Sequence, residues 1–279
     1  MSRIQKAIQK VMLGHGDNSK SGASRNRINR RRLNVSSKAA SDAALRLESI
    51  SHQVLAAQGK VLQQNRIIAG LADSKTVGMD AYKMLRTKTL RRLAANDWRM
   101  LAVTSTKQGE GKTLTAINLG ICISRDRNYD VIVVDTDLRS PSVGQYLGIK
   151  PKKGLSDYLE ESASLNEILV NPGIEGLAVI PNLQAIENSS EALTSPRMNT
   201  LMDELRELSS AVVVIFDLPP LIVDDALAFA PLVDAMMLVF KVGTTNREDA
   251  VAAREMTSEF PIIGCVVNGD RGSGESTYY

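Results

Sequence analysis

The segment at 105–113, STKQGEGKT, has the residue types and the spacing that bind nucleotide phosphates. It follows an apolar stretch with strand character and opens a helical stretch, as a phosphate-binding loop requires. Gly109 and Gly111 allow backbone N–H groups to curl around phosphate oxygens, and the helix directs its dipole at the same group. Lys112 is placed to reach the β and γ phosphates, and the Thr113 hydroxyl to ligate Mg²⁺. The segment therefore predicts a site for ATP and Mg²⁺ that is centred on Lys112.

The predicted nucleotide contacts run through this loop into the first turn of the helix. One position departs from the strict motif, because Thr106 stands where that motif has glycine. The alternative interpretation is a glycine-containing turn between a strand and a helix, without a ligand. The residues that we expect to contact the nucleotide are Lys107, Gln108, Gly109, Glu110, Gly111, Lys112, Thr113 and Leu114.

Three aspartates end two further apolar stretches. Asp135 and Asp137 close VIVVDTD, and Asp217 closes AVVVIFD, which has the form of a Walker B motif. Carboxylates at such strand ends can hold Mg²⁺ or its waters, and one can accept the proton of an attacking hydroxyl. We therefore predict Thr113, Asp135 and Asp217 as metal ligands, and Lys112, Asp135, Asp137 and Asp217 as catalytic residues. The alternative for Asp135 and Asp137 is a pair of loop acids that cap the next helix.

Further charged residues lie close to these motifs in the sequence. Arg139 follows the second acid and could contact phosphate or a neighbouring subunit. Asp224 and Asp225 begin the helix that follows Asp217, and we assign both to capping that helix.

The elements that must position these residues alternate regularly from residue 100 onward. Continuous apolar strands that alternate with helices predict an α/β fold with a doubly wound, mostly parallel sheet, as in P-loop NTPases. Ligands in such folds bind at the carboxyl ends of the strands, where all the motifs above fall. The predicted strands are 100–105, 130–137, 176–181, 211–217, 235–242 and 262–268. The predicted helices are 112–125, 155–169, 196–208, 224–233 and 246–259.

The preceding part of the chain is basic. Residues 1–75 carry 14 Lys/Arg against 4 Asp/Glu, about +10, whereas the remainder carries 20 against 27, about −7. Such an arm suggests an anionic partner: a membrane surface, nucleic acid, or the acidic body of another copy. We predict a basic, partly disordered arm at 1–77, a nucleotide-binding domain at 78–270 and a flexible tail at 271–279.

Within and after this arm, several local patterns can be interpreted. The stretch 2–13 predicts a short helix that packs on a partner or on the body, or alternatively lies on a membrane surface. Gly, Ser, Asn and Arg dominate 14–40, which indicates a flexible linker. We expect a helix and then an extended piece over 41–70, and an amphipathic helix over 79–95. No apolar run approaches the roughly 18 residues of a membrane span, so we expect a cytoplasmic protein whose membrane association is peripheral or through a partner.

Taken together, these motifs resemble the bacterial tyrosine autokinases (BY-kinases) of polysaccharide export and chain-length control. The resemblance spans roughly residues 78–279 and rests on TSTKQGEGKT, VVDTDLRSPS, VIFDLPP, SEALTSPRM, IIGCVVNGDRG and a pair of tyrosines in the tail. The start, MSRIQKAIQK, is similar to stand-alone kinases of exosortase-associated exopolysaccharide loci. Upstream, DAYKMLR resembles the E-x-x-R-x-x-R helix of the family, with Asp80, Lys83 and Arg86 at the motif positions.

The resemblance implies an activity and a mode of assembly. It implies autophosphorylation of Tyr278 and Tyr279, with the tail of one subunit entering the site of the next in a ring that Asp80, Lys83 and Arg86 help to form. It also implies a separate membrane protein of the chain-length-determinant type as activator at the inner face of the membrane, and it disfavours nucleic acid as a partner. The alternative is an ATPase switch like ParA or MinD, which dimerises on ATP and binds membrane or DNA. Lys107, which stands where those ATPases carry an extra lysine, and the short tail keep that alternative open.

Overall fold

The structure, a computed structural model, describes residues 53–68 and 77–270. Their strands form one eight-stranded sheet in the order β1-β4-β5-β3-β6-β2-β7-β8. All neighbouring strands are parallel except β4 and β5, so the predicted doubly wound, mostly parallel sheet is confirmed. The strands are β1 Gln53–Val54, β2 Met100–Ser105, β3 Asp130–Asp135, β4 Val170–Asn171, β5 Leu177–Ile180, β6 Val212–Asp217, β7 Ala235–Lys241 and β8 Ile262–Asn268.

Ten α-helices accompany the sheet in the described part of the chain. A 3₁₀ turn, Ala230–Leu232, directly follows the ninth helix. The helices are α1 Gly59–Gln64, α2 Val77–Asn96, α3 Lys112–Ser124, α4 Val143–Leu147, α5 Leu155–Leu159, α6 Leu165–Ile168, α7 Ser189–Leu193, α8 Pro196–Arg206, α9 Asp225–Phe229 and α10 Arg247–Met256.

Both faces of the sheet are covered, which explains the unbroken apolar runs of the central strands. Every residue of β2, β3 and β6 is buried. Leu101 belongs to the apolar cluster on one face, together with Ile117 of α3, and Met100 belongs to the cluster on the other face, together with Leu201 of α8. The neighbouring residues of one strand thus enter two separate cores, as the period of two in a strand requires.

The prediction of one continuous helix over 155–169 is wrong. Two short helices, α5 and α6, occupy this stretch, and Glu161 between them has a positive φ of 61°. A side chain in the left-handed region breaks the helical path. Ser164 then starts α6 with a capping box to Glu167, so the chain enters the second helix in a new direction.

The segment before the predicted domain boundary packs into the domain. The boundary at residue 78 assigns 53–68 to the arm, but β1 pairs with β4 at the edge of the sheet, and Leu62 and Ile67 lie in the core. Over 41–70, where a helix and then an extended piece are predicted, the described residues form β1 at Gln53–Val54 and the helix α1 at Gly59–Gln64, and residues 66–68 of the expected extended piece form no strand. The stretches 2–13 and 14–40, for which a helix and a linker are predicted, lie outside the described residues, as do residues 69–76 and the tail at 271–279.

Candidate active site

Adjacent strands bring the three sequence motifs to one edge of the sheet. The Cα of Asp135, at the end of β3, is paired with that of Asp217, at the end of β6. Asp217 is also in register with Val103 of β2, two residues before the phosphate-binding loop begins at Ser105. Since the three strands are parallel neighbours, their carboxyl ends open at the same side, where this fold class binds its ligands.

The phosphate-binding loop needs glycine at two positions of its backbone. Gly109 and Gly111 have φ values of 81° and 96°, in the left-handed region that L side chains rarely adopt. A Cβ on Gly111 would also lie 2.0 Å from Nδ2 of Asn268. Gly111 precedes the first residue of α3 and supplies no capping side chain. This geometry leaves the amino end of a 13-residue helix available to an anion, as a phosphate site requires.

Lys112 lies among the predicted catalytic acids. Its Nζ is 2.7 Å from Oδ2 of Asp137 and 3.4 Å from Oδ1 of Asp217, and all three side chains are buried. Burial disfavours the charged ammonium, but Asp217 and then Asp137 outweigh it, so the pKa of Lys112 is raised. Lys112 therefore carries its positive charge at the point where phosphate oxygens would enter.

Thr113 and the two strand-end acids form the predicted metal site. The Thr113 hydroxyl donates to Oδ2 of Asp217 at 2.6 Å, and its oxygen is 3.2 Å from that of Ser142. Burial raises the pKa of Asp217, while Lys112 and Thr113 oppose that rise. A hydroxyl held against a carboxylate is the pair of oxygen ligands that Mg²⁺ uses beside phosphate.

Asp135 is wholly buried and only half satisfied. Its Oδ2 accepts hydrogen bonds from the backbone N–H groups of Ser142 and Val143, at 2.8 and 2.9 Å, whereas Oδ1 has no hydrogen-bond partner among the described residues. Burial, with the nearby Asp217 carboxylate, raises the pKa of Asp135 to about 8. An unpartnered buried carboxylate oxygen beside a second acid fits a hydrated Mg²⁺, which keeps several waters and few protein ligands. Among the residues described, no three His, Cys, Asp or Glu side chains converge on one point as a complete metal cage.

Two residues of the predicted nucleotide-contacting set hold the loop in place through their side chains. Glu110 is buried, and its carboxylate accepts from the Thr106 hydroxyl at 2.7 Å, the Lys107 N–H at 2.9 Å and the Thr245 hydroxyl. Lys107 points away from the loop cavity to Asp249 on α10, with Nζ 2.7 Å from Oδ2. In this structure the side chains of both residues and the Lys107 N–H are therefore bound within the protein, while Gln108 is exposed and Leu114 is half-buried.

Sequence reasoning missed residues from distant strands that support the loop. Asn268, the last residue of β8, donates from Nδ2 to the carbonyl of Glu110 at 3.0 Å. Lys241, at the end of β7, lies 3.1 Å from the carbonyl oxygen of Gly109. The signal for Asn268 was present in IIGCVVNG, but Lys241 and Thr245 carry no local motif. Their role follows from β7 being the neighbour of β2 in the sheet.

The capping role assigned to Asp225 is incorrect. Asp224, which precedes α9, makes no side-chain capping bond, and Asp225 turns inward to Arg139. Burial of Asp225 opposes its ionisation, but Arg139 and the Ser189 and Ser190 hydroxyls hold its pKa below the ordinary value. Arg139, for which contact with phosphate or another subunit was open, is bound to the carboxylate of its own chain.

The residues predicted for assembly lie on α2, away from the loop. Asp80 and Lys83 are exposed and pair with each other at 3.1 Å, one turn apart. Arg86 donates to the carbonyl of Cys122 on α3 at 3.3 Å. Tyr278 and Tyr279 lie outside the described residues. In the part of the chain that the structure describes, no helix is long and apolar enough to cross a membrane.

Comparisons with known proteins identify the family and the fold of this chain. Residues 101–274 match the CobQ/CobB/MinD/ParA nucleotide binding domain family. The tyrosine-protein kinase YwqD of Bacillus subtilis (strain 168) is 28% identical over 224 residues, which cover 79% of this chain and 92% of YwqD. The kinase domain of the Escherichia coli tyrosine kinase ETK superposes with a TM-score of 0.69 at 23% identity, covering 85% of this chain and 97% of that domain. The septum site-determining protein MinD of Pyrococcus horikoshii OT3, complexed with Mg-ADP, superposes with a TM-score of 0.53 at 20% identity, over 63% of this chain and 72% of MinD. The two superpositions show a shared fold.

Proposed function

We propose that this chain, which belongs to the CobQ/CobB/MinD/ParA family of nucleotide-binding domains, is an ATP- and Mg²⁺-dependent tyrosine autokinase. Its curated relatives are bacterial tyrosine-protein kinases. These relatives confirm the predicted resemblance to bacterial tyrosine kinases. The acceptors that we propose are Tyr278 and Tyr279, and the process regulated is exopolysaccharide polymerisation and export. The observation that carries the proposal is the buried Lys112, paired with Asp137 at the mouth of a phosphate-binding loop.

Residues on one side of Lys112 would bind the nucleotide, and residues on the other side would act on the acceptor hydroxyl. On the nucleotide side, the backbone of Gly109 and Gly111 and the start of α3 would hold the phosphates. On the acceptor side, Asp137 would take the phenol proton while the phenol oxygen bonds to the γ phosphorus and the bond to the ADP oxygen breaks. Lys112 would exchange its contact with Asp137 for the γ-phosphate oxygens. Neutralising charge at this point is worth several kcal/mol of barrier, or about 10²–10³ in rate.

The metal site proposed for Mg²⁺ uses Thr113, Asp135 and Asp217. When bound, Mg²⁺ neutralises charge on the β and γ phosphates and orients them for transfer. The Thr113 hydroxyl and Asp217 carboxylate already lie 2.6 Å apart, and Oδ1 of Asp135 would supply a further oxygen to the site. The proposed site therefore accounts for a buried polar atom that has no hydrogen-bond partner among the described residues.

The end of the last strand supports the choice of tail tyrosines as acceptors. β8 finishes at Asn268, which contacts the loop at Glu110. The roughly ten residues that follow Asn268 span about 30 Å when extended. We propose transfer to the tail of a neighbouring subunit in a ring, with Asp80, Lys83 and Arg86 of α2 at the contact. Phosphate on the tail would add negative charge near the acidic body and loosen the ring.

A mixing experiment tests the autokinase proposal. One chain carries Lys112→Met with an intact tail, and the other carries Tyr278→Phe and Tyr279→Phe with an intact site. Phosphate on the tail of the Lys112→Met chain, detected by mass spectrometry, supports transfer between subunits. If neither this mixture nor the unmodified chain labels its tail, even with an activating membrane partner supplied, the autokinase proposal fails.

The second candidate is the ATPase switch, which would hydrolyse ATP with water and dimerise on the nucleotide. The fold that the chain shares with MinD is compatible with it, but the side chain of Lys107 is bound to Asp249 of its own chain. ATP-dependent dimerisation without tail labelling would favour this candidate.

The proposed partners and location follow from the resemblance and from charge. We propose a separate membrane protein of the chain-length-determinant type as the activator, and a peripheral position at the inner face of the membrane. The basic arm would add contact with anionic lipid. Co-purification with that membrane partner, compared between the full chain and one lacking residues 1–40, tests whether the arm contributes.

A further inference from the structure

Four side chains from three separate segments meet behind the turn that carries Asp137. They are Arg139, Ser189, Ser190 and Asp225, hereafter the arginine cluster. Arg139 donates from Nε to Oδ2 of Asp225 at 3.0 Å and from Nη2 to Oδ1 at 3.1 Å, and Nε also lies 2.9 Å from Oγ of Ser189. The Ser190 hydroxyl donates to Oδ1 of Asp225. The Asp225 carboxylate is fully buried and the Arg139 side chain is half-exposed, and the two parallel hydrogen bonds hold the guanidinium plane in one orientation.

The turn itself is short and is held from two other directions. The N–H of Ser140 donates to the carbonyl of Asp137 at 3.1 Å and to its Oδ1 at 3.0 Å. The side chain of Leu138 is buried in the core, and its carbonyl accepts from the N–H of Ile186 at 2.8 Å. Arg139 lies between these points. Its side chain ties the turn to Ser189 of α7 and Asp225 of α9.

The cluster also gives a role to SEALTSPRM, which contributed to the resemblance without an assigned role. Ser190 opens this motif and lies in α7, and both hydroxyls of the pair 189–190 point into the cluster. Because Ile186, just before α7, also binds the turn, the stretch 186–190 supports the acceptor side of the site at two points.

We propose that Arg139 is a positioning residue for phosphoryl transfer to tyrosine. Through the arginine cluster, Arg139 holds Asp137 in line with the acceptor hydroxyl. The inference rests on the proposed autokinase function. A phenol on a peptide reaches the γ phosphorus from few directions, so the base must be held within a fraction of an ångström. Water can approach from many directions and tolerates a displaced base better. A loosened turn around Asp137 should therefore reduce the rate of phosphoryl transfer to tyrosine more than the rate of ATP hydrolysis.

The test measures the ratio of tail phosphorylation to ATP hydrolysis. Arg139→Lys keeps the charge but loses the bidentate bond, and Ser190→Ala removes one donor to the cluster. Each should lower the ratio, by about tenfold for Arg139→Lys. Hydrolysis is measured as ADP release from chains that also carry Tyr278→Phe and Tyr279→Phe, and labelling from chains with intact tails.

Ser195→Ala is the matched control for Ser190→Ala. Ser195 lies in the same segment and caps α8 by accepting from the N–H of Met198 at 3.1 Å, so its loss lowers stability without touching the cluster. The proposal expects a lower melting temperature and an unchanged ratio for this variant.

Equal ratios in the unmodified chain, Arg139→Lys and Ser190→Ala would overturn the positioning role while leaving the autokinase standing. The positioning role also fails if Ser195→Ala lowers the ratio as much as the two cluster variants do. No tail labelling in the unmodified chain, even with an activating membrane partner supplied, would instead overturn the autokinase proposal and this inference with it.

Discussion

Replacing Lys112 by methionine should reduce stability as well as activity, because the ammonium separates buried carboxylates. Lys112 and Asp137 are only 9% and 5% exposed, and Nζ also lies 3.4 Å from Oδ1 of Asp217. Removing one partner of a buried ion pair typically costs about 3–5 kcal/mol, since the remaining charge is left without compensation. We expect the lower end, about 3 kcal/mol, because Asp217 can take up a proton. The chain should remain folded, as typical stabilities are about 5–15 kcal/mol.

The sign of the pH dependence follows from Asp217. Burial already raises its pKa, and Lys112 is the strongest influence opposing that rise, so Lys112→Met should raise the pKa further. The folded variant then binds more protons than its unfolded form, and its stability falls as pH rises above the unfolded value of about 3.9. The loss in the free energy of unfolding relative to the unmodified chain should therefore be larger at about pH 8 than at about pH 5.

The assay is urea unfolding of both chains at the two pH values, without Mg²⁺ and nucleotide. Lys107→Met is the matched control, because the Lys107–Asp249 pair has a similar distance of 2.7 Å but is 42% and 18% exposed. Such a surface pair is worth about 0–1 kcal/mol. Equal losses for the two variants, or a deficit for Lys112→Met that does not change with pH, would refute the reasoning.

Three further predictions concern the loop, the metal site and the arm. Gly111→Ala should lower stability by at least about 1 kcal/mol and weaken ATP binding, because the φ of Gly111 is 96° and the new Cβ meets Asn268. Thermal unfolding and nucleotide titration check this prediction, and unchanged values would contradict the strained geometry. Asp135→Asn and Asp217→Asn should each weaken Mg²⁺-dependent nucleotide binding, since an amide offers the cation less charge; titrations that do not depend on either change would show these acids to be structural. Deleting residues 1–40 should abolish salt-sensitive sedimentation with anionic liposomes, and equal sedimentation of both forms would assign the arm to a protein partner.

The local patterns of the sequence were enough for the class of fold and the position of the site. A strand followed by glycines and Lys112 has few interpretations, because only glycine adopts the backbone of the loop and only a helix start presents its N–H groups there. The apolar runs that end in Asp135 and Asp217 likewise predicted both the strands and the edge at which they finish. These signals lie within a few residues of each other, so the local sequence carries them.

Other features depended on which segments become neighbours, and the tertiary structure alone decided them. Nothing near Asp225 indicates that it binds Arg139, 86 residues away, and the predicted cap was the usual role for an acid at a helix start. Glu110 looks like an ordinary loop residue until β7 brings Thr245 beside it. The same holds for β1, whose partner β4 is more than a hundred residues further along the chain.

The sequence by itself therefore determined the alternation of strands and helices and the phosphate-binding loop, because both follow from short-range backbone preferences and apolar periodicity. The order of the strands, the inward direction of Glu110 and the pairing of Arg139 with Asp225 came only from the folded chain. Buried polar groups must find partners wherever packing places them, and that placement has no local signature in the sequence.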